Sequence, residues 1–461
     1  MNAPAPPPTL TCWGAARTVT GSMHLVEVGE RAILLDCGLF QGRRHDAYRR
    51  NSQFPFHPSK ISAVILSHAH IDHCGNLPNL IRQGFRGPIC STQTTADLAA
   101  IMLADSARIQ EEESAWNARR TNLDAWIEPL YTTNDAVHCS QSIMPVSYEA
   151  PFEILPGCNV TLLDAGHIPG SAMVHLNIDG EFTLTYTGDL GRREFDVFPP
   201  AAPIPSADIV LAECTYGGRR HPLLSDAVAE LGGAVTRVAS RGGKVLVPAF
   251  GLGRAQLLAH YLVDLMDSGR APRLPVFVDS PLAAAVANVY RQHVEAFRID
   301  LPGDMSRVHY VQSFNESLAL CDSPAPCVII AAGGMCEGGR IIQHLVRNVS
   351  DPAACIVLVS FQAPRTLGRQ LLERPPIVHI LGRDYPLRAE VIHLEGFSSH
   401  ADHDDLMAQL TPLAGTGSRV RLIHGEPAAA EALEADLRAH GITDVGHPET
   451  GDREELRRVT T

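Results

Sequence analysis

The stretch Ser67-His68-Ala69-His70-Ile71-Asp72-His73-Cys74-Gly75 holds three imidazoles and a carboxylate at the end of an apolar, β-branched run that predicts a buried strand. A lone histidine at such a place is usually structural. A His-x-His-x-Asp-His pattern instead supplies the nitrogen and oxygen ligands typical of a two-metal hydrolytic site. The remaining ligands must then lie elsewhere in the chain. We interpret Cys74 as a packing residue, because the neighbouring hard ligands already fill the site.

Composition limits the class of protein. The chain has 461 residues, 45% of them hydrophobic and 19% charged, which is a globular composition long enough for two or three domains. We expect no membrane-spanning helix, because no apolar run reaches about 18 residues. The first eight residues predict a short extended tail and not a signal peptide. The 11 cysteines form no Cys-x-x-Cys pair, which favours free thiols in a reducing, cytoplasmic setting.

The net charge is −13. This value counts against a nucleic-acid protein that relies on a broad basic surface, but it allows local cationic grooves.

Polar residues end further strand-like runs in the first half of the chain, at Asp36, His167 and Asp189. Because several strands end in polar residues in the same way, we expect the ends of these strands to lie at one shared edge of a sheet. Asp36 has two alternative roles. It either orients a metal-ligating histidine without itself binding the metal, or it closes a turn, and the local pattern does not decide between them. His175 lies in mid-strand and is interpreted as structural. Residues 94–118 predict a long helix, and residues 121–143 predict a partly helical connection.

The pattern changes after residue 208. Four apolar strands, near residues 244–248, 276–281, 327–334 and 355–361, each lead into a helix. Such alternation predicts a parallel α/β sheet covered on both faces. The final segment returns to the earlier pattern, with runs that end in His400 and His424.

Together these motifs resemble the metallo-β-lactamase superfamily, and within it the β-CASP branch of nucleic-acid-processing nucleases. The superfamily motifs correspond to Asp36; to His68, His70, Asp72 and His73; to His167; and to Asp189. The branch motifs correspond to Glu213, to His400 in Gly-Phe-Ser-Ser-His-Ala-Asp and to His424 in Ile-His-Gly-Glu.

The resemblance implies an α/β fold, a four-layer αβ/βα metallo-β-lactamase sandwich with an inserted Rossmann-like parallel α/β (β-CASP) domain. The expected boundaries are 1–213 for the first part of the metallo-β-lactamase domain, 214–385 for the insert and 386–461 for the last part.

For the site, the resemblance implies two zinc ions. His68, His70, His167 and Asp189 would hold one ion, and Asp72, His73, Asp189 and His424 would hold the other. Asp72 would also orient the attacking hydroxide. The resemblance further selects His400, held by Glu213, as the general acid, since an imidazole carries a proton near neutral pH. His403, three residues on, is interpreted as a surface helix residue.

A histidine in the last motif resembles the RNA-processing members of the family. Loops at Gly333, Gly334 and Ser360 precede helices and could present backbone N–H groups to phosphate, and Arg340 and Arg365 could add charge. The alternative for each is an ordinary turn or a solvated helix residue.

The expected function is a zinc-dependent ribonuclease acting on single-stranded RNA in the cytoplasm. It would cut endonucleolytically, with 5′-exonuclease action as an additional mode. The alternatives are a small-molecule hydrolase such as a thioesterase or lactonase, and a non-catalytic RNA-binding relative. The expected partner is RNA and not a membrane, and the sequence leaves a homodimer open.

Overall fold

The computed structural model describes residues 7–118, 128–363 and 365–458. Most of the predicted N-terminal tail and residues 121–127 of the predicted connection lie outside this part of the chain. The chain forms two compact units, Met1–Arg220 with His400–Thr461, and His221–Ser399. They are called the first and second unit below. The predicted domain boundaries stay a prediction.

The first unit contains two seven-stranded sheets. The first sheet has the order β22-β1-β2-β3-β4-β5-β6, antiparallel from β22 to β3 and parallel from β3 to β6. Its strands are β1 (Thr9–Cys12), β2 (His24–Val28), β3 (Arg31–Leu35), β4 (Ala63–Ile65), β5 (Ile89–Ser91), β6 (Ile143–Pro145) and β22 (Arg453–Glu455).

The second sheet has the order β21-β20-β11-β10-β9-β8-β7, antiparallel from β7 to β10 and parallel from β10 to β21. Its strands are β7 (Phe152–Leu155), β8 (Cys158–Asp164), β9 (Ala172–Ile178), β10 (Phe182–Tyr186), β11 (Ile209–Glu213), β20 (Arg419–Ile423) and β21 (Val445–Gly446).

Seven α-helices lie in the described part of the first unit. They are α1 (Arg44–Ser52), α2 (Ile71–Cys74), α3 (Leu77–Arg82), α4 (Gln93–Ala118), α5 (Thr133–Gln141), α13 (His403–Leu410) and α14 (Pro427–Ala439).

An apolar core joins the two sheets, because alternate strand residues of each sheet point toward the other. Residues that build it include Val26, Ile33 and Ile65 of the first sheet and Val174, Leu184 and Leu211 of the second. On the outer faces, α4 packs on β6 and is joined by α5, while α13 and α14 pack on the strands β11 and β20. The resulting order is helix, sheet, sheet, helix.

The second unit is built on a six-stranded parallel sheet of order β14-β13-β15-β12-β16-β19. A separate two-stranded hairpin, β17–β18, falls between β16 and β19 in the sequence. The strands are β12 (Lys244–Ala249), β13 (Val276–Asp279), β14 (His309–Tyr310), β15 (Cys327–Ala332), β16 (Cys355–Leu358), β17 (Ile377–Ile380), β18 (Arg383–Pro386) and β19 (Glu390–His393).

The helices of this unit are α6 (Leu224–Arg241), α7 (Arg254–Asp267), α8 (Pro281–Gln292), α9 (Leu301–Met305), α10 (Phe314–Asp322), α11 (Ile341–Asn348) and α12 (Leu367–Glu373). Together with the sandwich of the first unit, this parallel sheet confirms the predicted fold class.

Local signals set the helix ends of the second unit. The Ser280 hydroxyl accepts the N–H of Ala283 at 3.1 Å, and Pro281 follows as the first residue of α8, where a missing N–H is harmless. Gly242 caps the C-terminus of helix α6. Its φ of 71° is the left-handed conformation that glycine adopts without a steric penalty.

Asp279 is the centre of a buried polar network in the second unit. Its fully buried carboxylate accepts hydrogen bonds from Ser317 Oγ at 2.5 Å, His344 Nε2 at 2.7 Å and Arg340 Nη1 at 2.6 Å. These contacts join the end of β13 to α10 and α11. Because each partner is itself a polar group buried on folding, the carboxylate compensates the desolvation of all three.

We expect Asp279→Ala to lower the free energy of unfolding by about 3–5 kcal/mol, because it leaves buried donors without an acceptor. Chemical denaturation of the purified protein measures this. Asp267→Ala removes an exposed carboxylate paired with Arg307 in the same unit and should leave the transition nearly unchanged. Equal transitions for the two variants would contradict a structural role for the network.

Two findings bear on the environment of the protein. In the described part of the chain, no helix has both the length and the apolarity to cross a membrane. All 11 cysteines are buried and free.

Candidate metal centre

The predicted ligands of the first unit all follow strand ends. The stretch with His68 and His70 follows β4, His167 follows β8, Asp189 follows β10 and His424 follows β20. Because β4, β10 and β20 lie in the parallel parts of the two packed sheets, their carboxyl ends reach a common edge. Side chains more than 350 residues apart in sequence therefore converge: His73 Nε2 lies 3.2 Å from His424 Nε2, across a separation of 351 residues.

His68, His70, His167 and Asp189 form the first cluster. One ligand atom from each lies within 4.8 Å of the others. His70 Nδ1 lies 3.1 Å from His68 Nε2 and 3.3 Å from His167 Nε2. His68 Nε2 lies 3.4 Å from Asp189 Oδ2. Three ring nitrogens and one carboxylate oxygen thus point at one small volume.

Asp72, His73 and His424 form the second cluster, and their ligand atoms also lie within 4.8 Å of one another. His424 Nε2 lies 3.5 Å from Asp72 Oδ2. Asp189 connects the clusters, because its Oδ1 lies 3.2 Å from His73 Nε2 while its Oδ2 faces His68.

The donor set fits bound cations. The Asp189 side chain is 2% exposed, and its Oδ1 accepts no hydrogen bond from the residues that the structure describes. A buried carboxylate oxygen without a donor is unfavourable unless a cation compensates it. Burial lowers the pKa of His70 to about 3 and the pKa of His167 well below its usual value. Both rings are therefore neutral and offer lone pairs, which is the form that binds metal.

Asp36 supports the cluster from behind and resolves the alternative that the sequence left open. Its Oδ2 accepts from His73 Nδ1 at 2.7 Å, from Tyr186 Oη at 2.6 Å and from Ser67 Oγ at 2.7 Å. Its Oδ1 accepts the N–H of Ser67 at 2.7 Å. The carboxylate fixes the ring orientation of His73 and turns Nε2 toward Asp189.

Two residues of the centre have unusual backbone conformations. Asp36 has a φ of 60° and His424 a φ of 49°, both in the left-handed region that non-glycine residues seldom adopt. Such strain persists only where surrounding structure fixes it, and it concentrates at functional sites.

We expect Asp36→Asn to weaken metal binding by about 10- to 100-fold, because an amide cannot accept from all four donors and releases His73 from its orientation. Competition against a chromophoric zinc chelator measures the affinity. Asp208→Asn is the matched control, since Asp208 Oδ2 accepts the N–H of Thr183 at 2.8 Å in the same unit. Equal metal affinity in both variants would contradict the supporting role of Asp36.

His400 and Glu213 form a pair beside the first cluster. His400 Nδ1 lies 3.3 Å from Glu213 Oε1 and 3.9 Å from Asp189 Oδ2. Glu213 is fully buried and is itself fixed, because its Oε1 accepts the N–H of Leu190 at 2.6 Å and its Oε2 accepts the N–H of Thr215 at 3.2 Å. The His400 side chain remains 20% exposed.

Burial lowers the pKa of His400, but the negative charges of Glu213 and Asp189 outweigh burial, so that the pKa is raised overall. The two carboxylates therefore favour the protonated form of the imidazole, and solvent can reach the ring.

Two neighbouring histidines have other contacts. His403 Nδ1 donates to the carbonyl of Gly217 at 2.6 Å, and its Nε2 lies 3.3 Å from Asp436. It is a half-buried structural residue at the start of α13 and not the surface residue that we expected. His175 Nδ1 lies 2.9 Å from Thr185 Oγ1, in keeping with its predicted structural role.

Two polar contacts of the centre were missed by sequence reasoning. Thr215 Oγ1 lies 3.0 Å from His424 Nδ1 and sets the orientation of that ring. Its position two residues after Glu213 was an available signal. Tyr186 reaches Asp36 from a strand 150 residues away, and nothing local distinguishes it from a core tyrosine.

The residues predicted to bind substrate lie in the second unit. Gly333, Gly334 and Ser360 follow β15 and β16 at the carboxyl edge of the parallel sheet. Arg365 is exposed, with a φ of 72°. The guanidinium of Arg340 is bound by Asp279 and by the carbonyls of Val311 and Gln312. Their role in binding stays a prediction.

Three family models match the chain. Residues 16–100 match the metallo-beta-lactamase superfamily, residues 255–371 the Beta-Casp domain and residues 384–448 the Zn-dependent metallo-hydrolase RNA specificity domain. The chain therefore belongs to the β-CASP family of the metallo-β-lactamase superfamily, a class of metal-dependent hydrolases, as the motifs predicted.

Relatives cover most of the chain. It is 38% identical over 438 residues to Ribonuclease TTHA0252 of Thermus thermophilus, which covers 93% of this chain and 96% of the relative. It is 32% identical over 431 residues to the Transcription termination factor FttA of Methanocaldococcus jannaschii, across 90% of this chain and 66% of that protein.

Among solved structures, a protein of unknown function from Enterococcus faecalis V583 covers 98% of this chain and 100% of its own, with a TM-score of 0.55 and 14% identity. This likeness supports the fold alone.

Proposed function

We propose that this protein is a zinc-dependent ribonuclease that holds two zinc ions and hydrolyses phosphodiester bonds of single-stranded RNA. It acts endonucleolytically, with 5′-exonuclease action as an additional mode. The observation that carries the proposal is the His400–Glu213 pair beside two ligand clusters that share Asp189. The relatives named as a ribonuclease and as a transcription termination factor support RNA as the substrate.

His68, His70, His167 and Asp189 would hold one ion, and Asp72, His73, His424 and Asp189 the other. Bound ions supply a water of lowered pKa and positive charge for the phosphate oxygens. The chain's own contribution is orientation. Asp36 and Thr215 fix the rings of His73 and His424. Asp72 would orient the attacking water by accepting a hydrogen bond.

His400 is the proposed general acid. In hydrolysis, the oxygen of water forms a bond to phosphorus and the bond from phosphorus to the leaving oxygen breaks. The leaving oxygen takes a proton from the imidazolium, the attacking water loses a proton to solvent, and the imidazole later regains a proton from solvent. Glu213 stabilises the charged ring and fixes its direction.

RNA contacts are proposed in the second unit. Gly333, Gly334 and Ser360 offer backbone N–H groups at the carboxyl edge of a parallel sheet, where ligands bind in such sheets. Arg365 adds an exposed cation, and Arg340 would contribute by fixing the adjoining loop through Asp279. A cytoplasmic location is supported by the 11 free thiols.

The test is to incubate the protein with long single-stranded RNA labelled at either end and carrying a 5′-triphosphate or a 5′-monophosphate. We expect internal cuts from both RNAs, loss of cutting with chelator and recovery with zinc. Shortening from the monophosphorylated end would show the exonuclease mode. Hydrolysis of thioesters or lactones by a protein that leaves RNA intact would overturn the proposal.

A further inference from the structure

We propose that Phe250 and Phe361 form a stacking platform on which bases of single-stranded RNA bind. The inference rests on the proposed function and adds to it a base-binding surface on the second unit. Both side chains are unusually open for phenylalanine, at 48% and 56% exposed. Both also stand just beyond the carboxyl ends of neighbouring parallel strands, β12 and β16.

Strand register brings the loops together. The pairing of β12 with β15 ends at Ala249 opposite Ala332, so Phe250 follows beside Gly333. On its other side β12 pairs with β16, with Leu246 opposite Ile356, so the loop that contains Ser360 follows the neighbouring strand. Loops after three adjacent strands therefore meet at one edge of the sheet, which is where α/β sheets bind ligands.

The ring of Phe250 is held in position by its contact with the backbone of Gly334. A Cβ atom added to Gly334 would lie 3.0–3.2 Å from three carbons of this ring, closer than side chains normally approach. The ring thus lies directly against the Gly334 backbone, and any larger residue there would displace it. An aromatic ring that is held in place while about half exposed loses little entropy when a base stacks on it.

Gln362 joins the loop of Phe361 to the loop of Gly334. Its side-chain N–H groups donate to the carbonyls of Gly334 and Ser360, each at 2.9 Å. A Cβ added to Gly368 would collide with the same side chain, 1.7 Å from its Oε1, so close packing fixes Gln362 from the other side. The Phe361 loop is therefore anchored directly beside its exposed ring.

The polar surroundings favour a nucleic acid strand over an apolar protein segment. Ser360 is 6% exposed and its Oγ is buried, so the side chain itself is not part of the platform surface. Arg365 supplies an exposed cation in the same loop. The nearby acid, Glu337, is already engaged, because its carboxylate accepts the N–H of Leu367 at 2.6 Å. Two open rings beside an exposed cation suit bases linked by phosphates.

Binding of a fluorescein-labelled oligouridylate to the full chain, measured by anisotropy in the presence of chelator so that the RNA stays intact, tests the platform. Base stacking is worth about 1–3 kcal/mol per base, so Phe250→Ala and Phe361→Ala should each raise the Kd by about 5- to 100-fold. Phe→Trp at either position should bind at least as tightly as wild type. Phe→Leu, which keeps apolar bulk, should lose most of the affinity.

Phe314→Ala is the matched control. Its side chain is 57% exposed in the same unit, but it begins α10, after the strand β14 at the far end of the sheet. It should bind RNA as wild type does. An abasic oligonucleotide of equal length should bind wild type, Phe250→Ala and Phe361→Ala with similar affinity, because only the base contacts differ. Circular dichroism of each variant excludes misfolding as the cause.

The two proposals fail differently. If wild type neither binds nor cuts RNA, the proposed function fails. If wild type binds and cuts RNA while Phe250→Ala, Phe361→Ala and their double variant bind as wild type does, only the platform is overturned. Wild-type affinity in the Phe→Leu variants would also overturn it. The platform would also be overturned if these variants bound RNA as wild type does but differed from it in oligomeric state by light scattering. That result would assign the rings to a protein contact.

Discussion

Asp189→Ala is expected to abolish RNA cleavage and to remove most of the bound metal. Asp189 is the residue common to both ligand clusters, since Oδ2 lies 3.4 Å from His68 Nε2 and Oδ1 lies 3.2 Å from His73 Nε2. Without it, the imidazoles of both clusters lose the negative charge that they share. The loss of rate should exceed the about 10²- to 10⁴-fold that removal of a proton donor alone produces. Metal content by mass spectrometry and single-turnover cleavage together measure this.

Asp179→Ala is the matched control. Asp179 is a carboxylate of the same unit that follows a strand, but it pairs with Arg31 at 2.8 Å in the turn between β9 and β10, at the opposite end of β10 from Asp189. It should keep the metal content and the cleavage rate of wild type. Asp189→Ala protein that retains two equivalents of metal and cuts RNA would show that the clusters are not the working centre.

The sequence predicts the centre well where ligands are adjacent in the chain. His68, His70 and His73 stand in one loop after one strand, so spacing alone indicates a metal site. His424 and His400 are different, because no local property distinguishes them from other histidines. Only the family resemblance selected them, and only the common edge of the two sheets explains why they meet.

Contacts between distant elements could not be predicted. Tyr186 contacts Asp36 because one sheet packs on the other. The residues of the two strands do not indicate how the sheets are aligned. Arg340 follows a glycine-rich loop, which suggested a phosphate ligand. The sequence could not show that Asp279, 61 residues earlier, binds its guanidinium. The exposure of Phe250 and Phe361 could not be predicted from the sequence, because it depends on where each strand ends.

His400→Ala is expected to lower the rate of RNA cleavage by about 10²- to 10⁴-fold while the metal content stays at the wild-type level. The reason is geometric, since His400 stands beside the clusters but directs Nδ1 to Glu213 Oε1 at 3.3 Å, and its ring remains accessible to solvent. Glu213→Gln should give a smaller loss, because it leaves the imidazole in place without the charge that keeps it protonated. Single-turnover rates on a defined RNA measure both variants.

The choice of substrate separates proton donation from a general loss of structure. Bis(p-nitrophenyl) phosphate has a leaving group that departs without a proton, so His400→Ala should hydrolyse it at a rate close to that of wild type, whereas Asp189→Ala should not hydrolyse it. His403→Gln, three residues along the chain and bonded to Gly217, is the matched control and should cut RNA normally. Equal losses on both substrates in His400→Ala would assign His400 to the metal centre and not to the leaving group, because a proton donor matters only where the departing oxygen needs a proton.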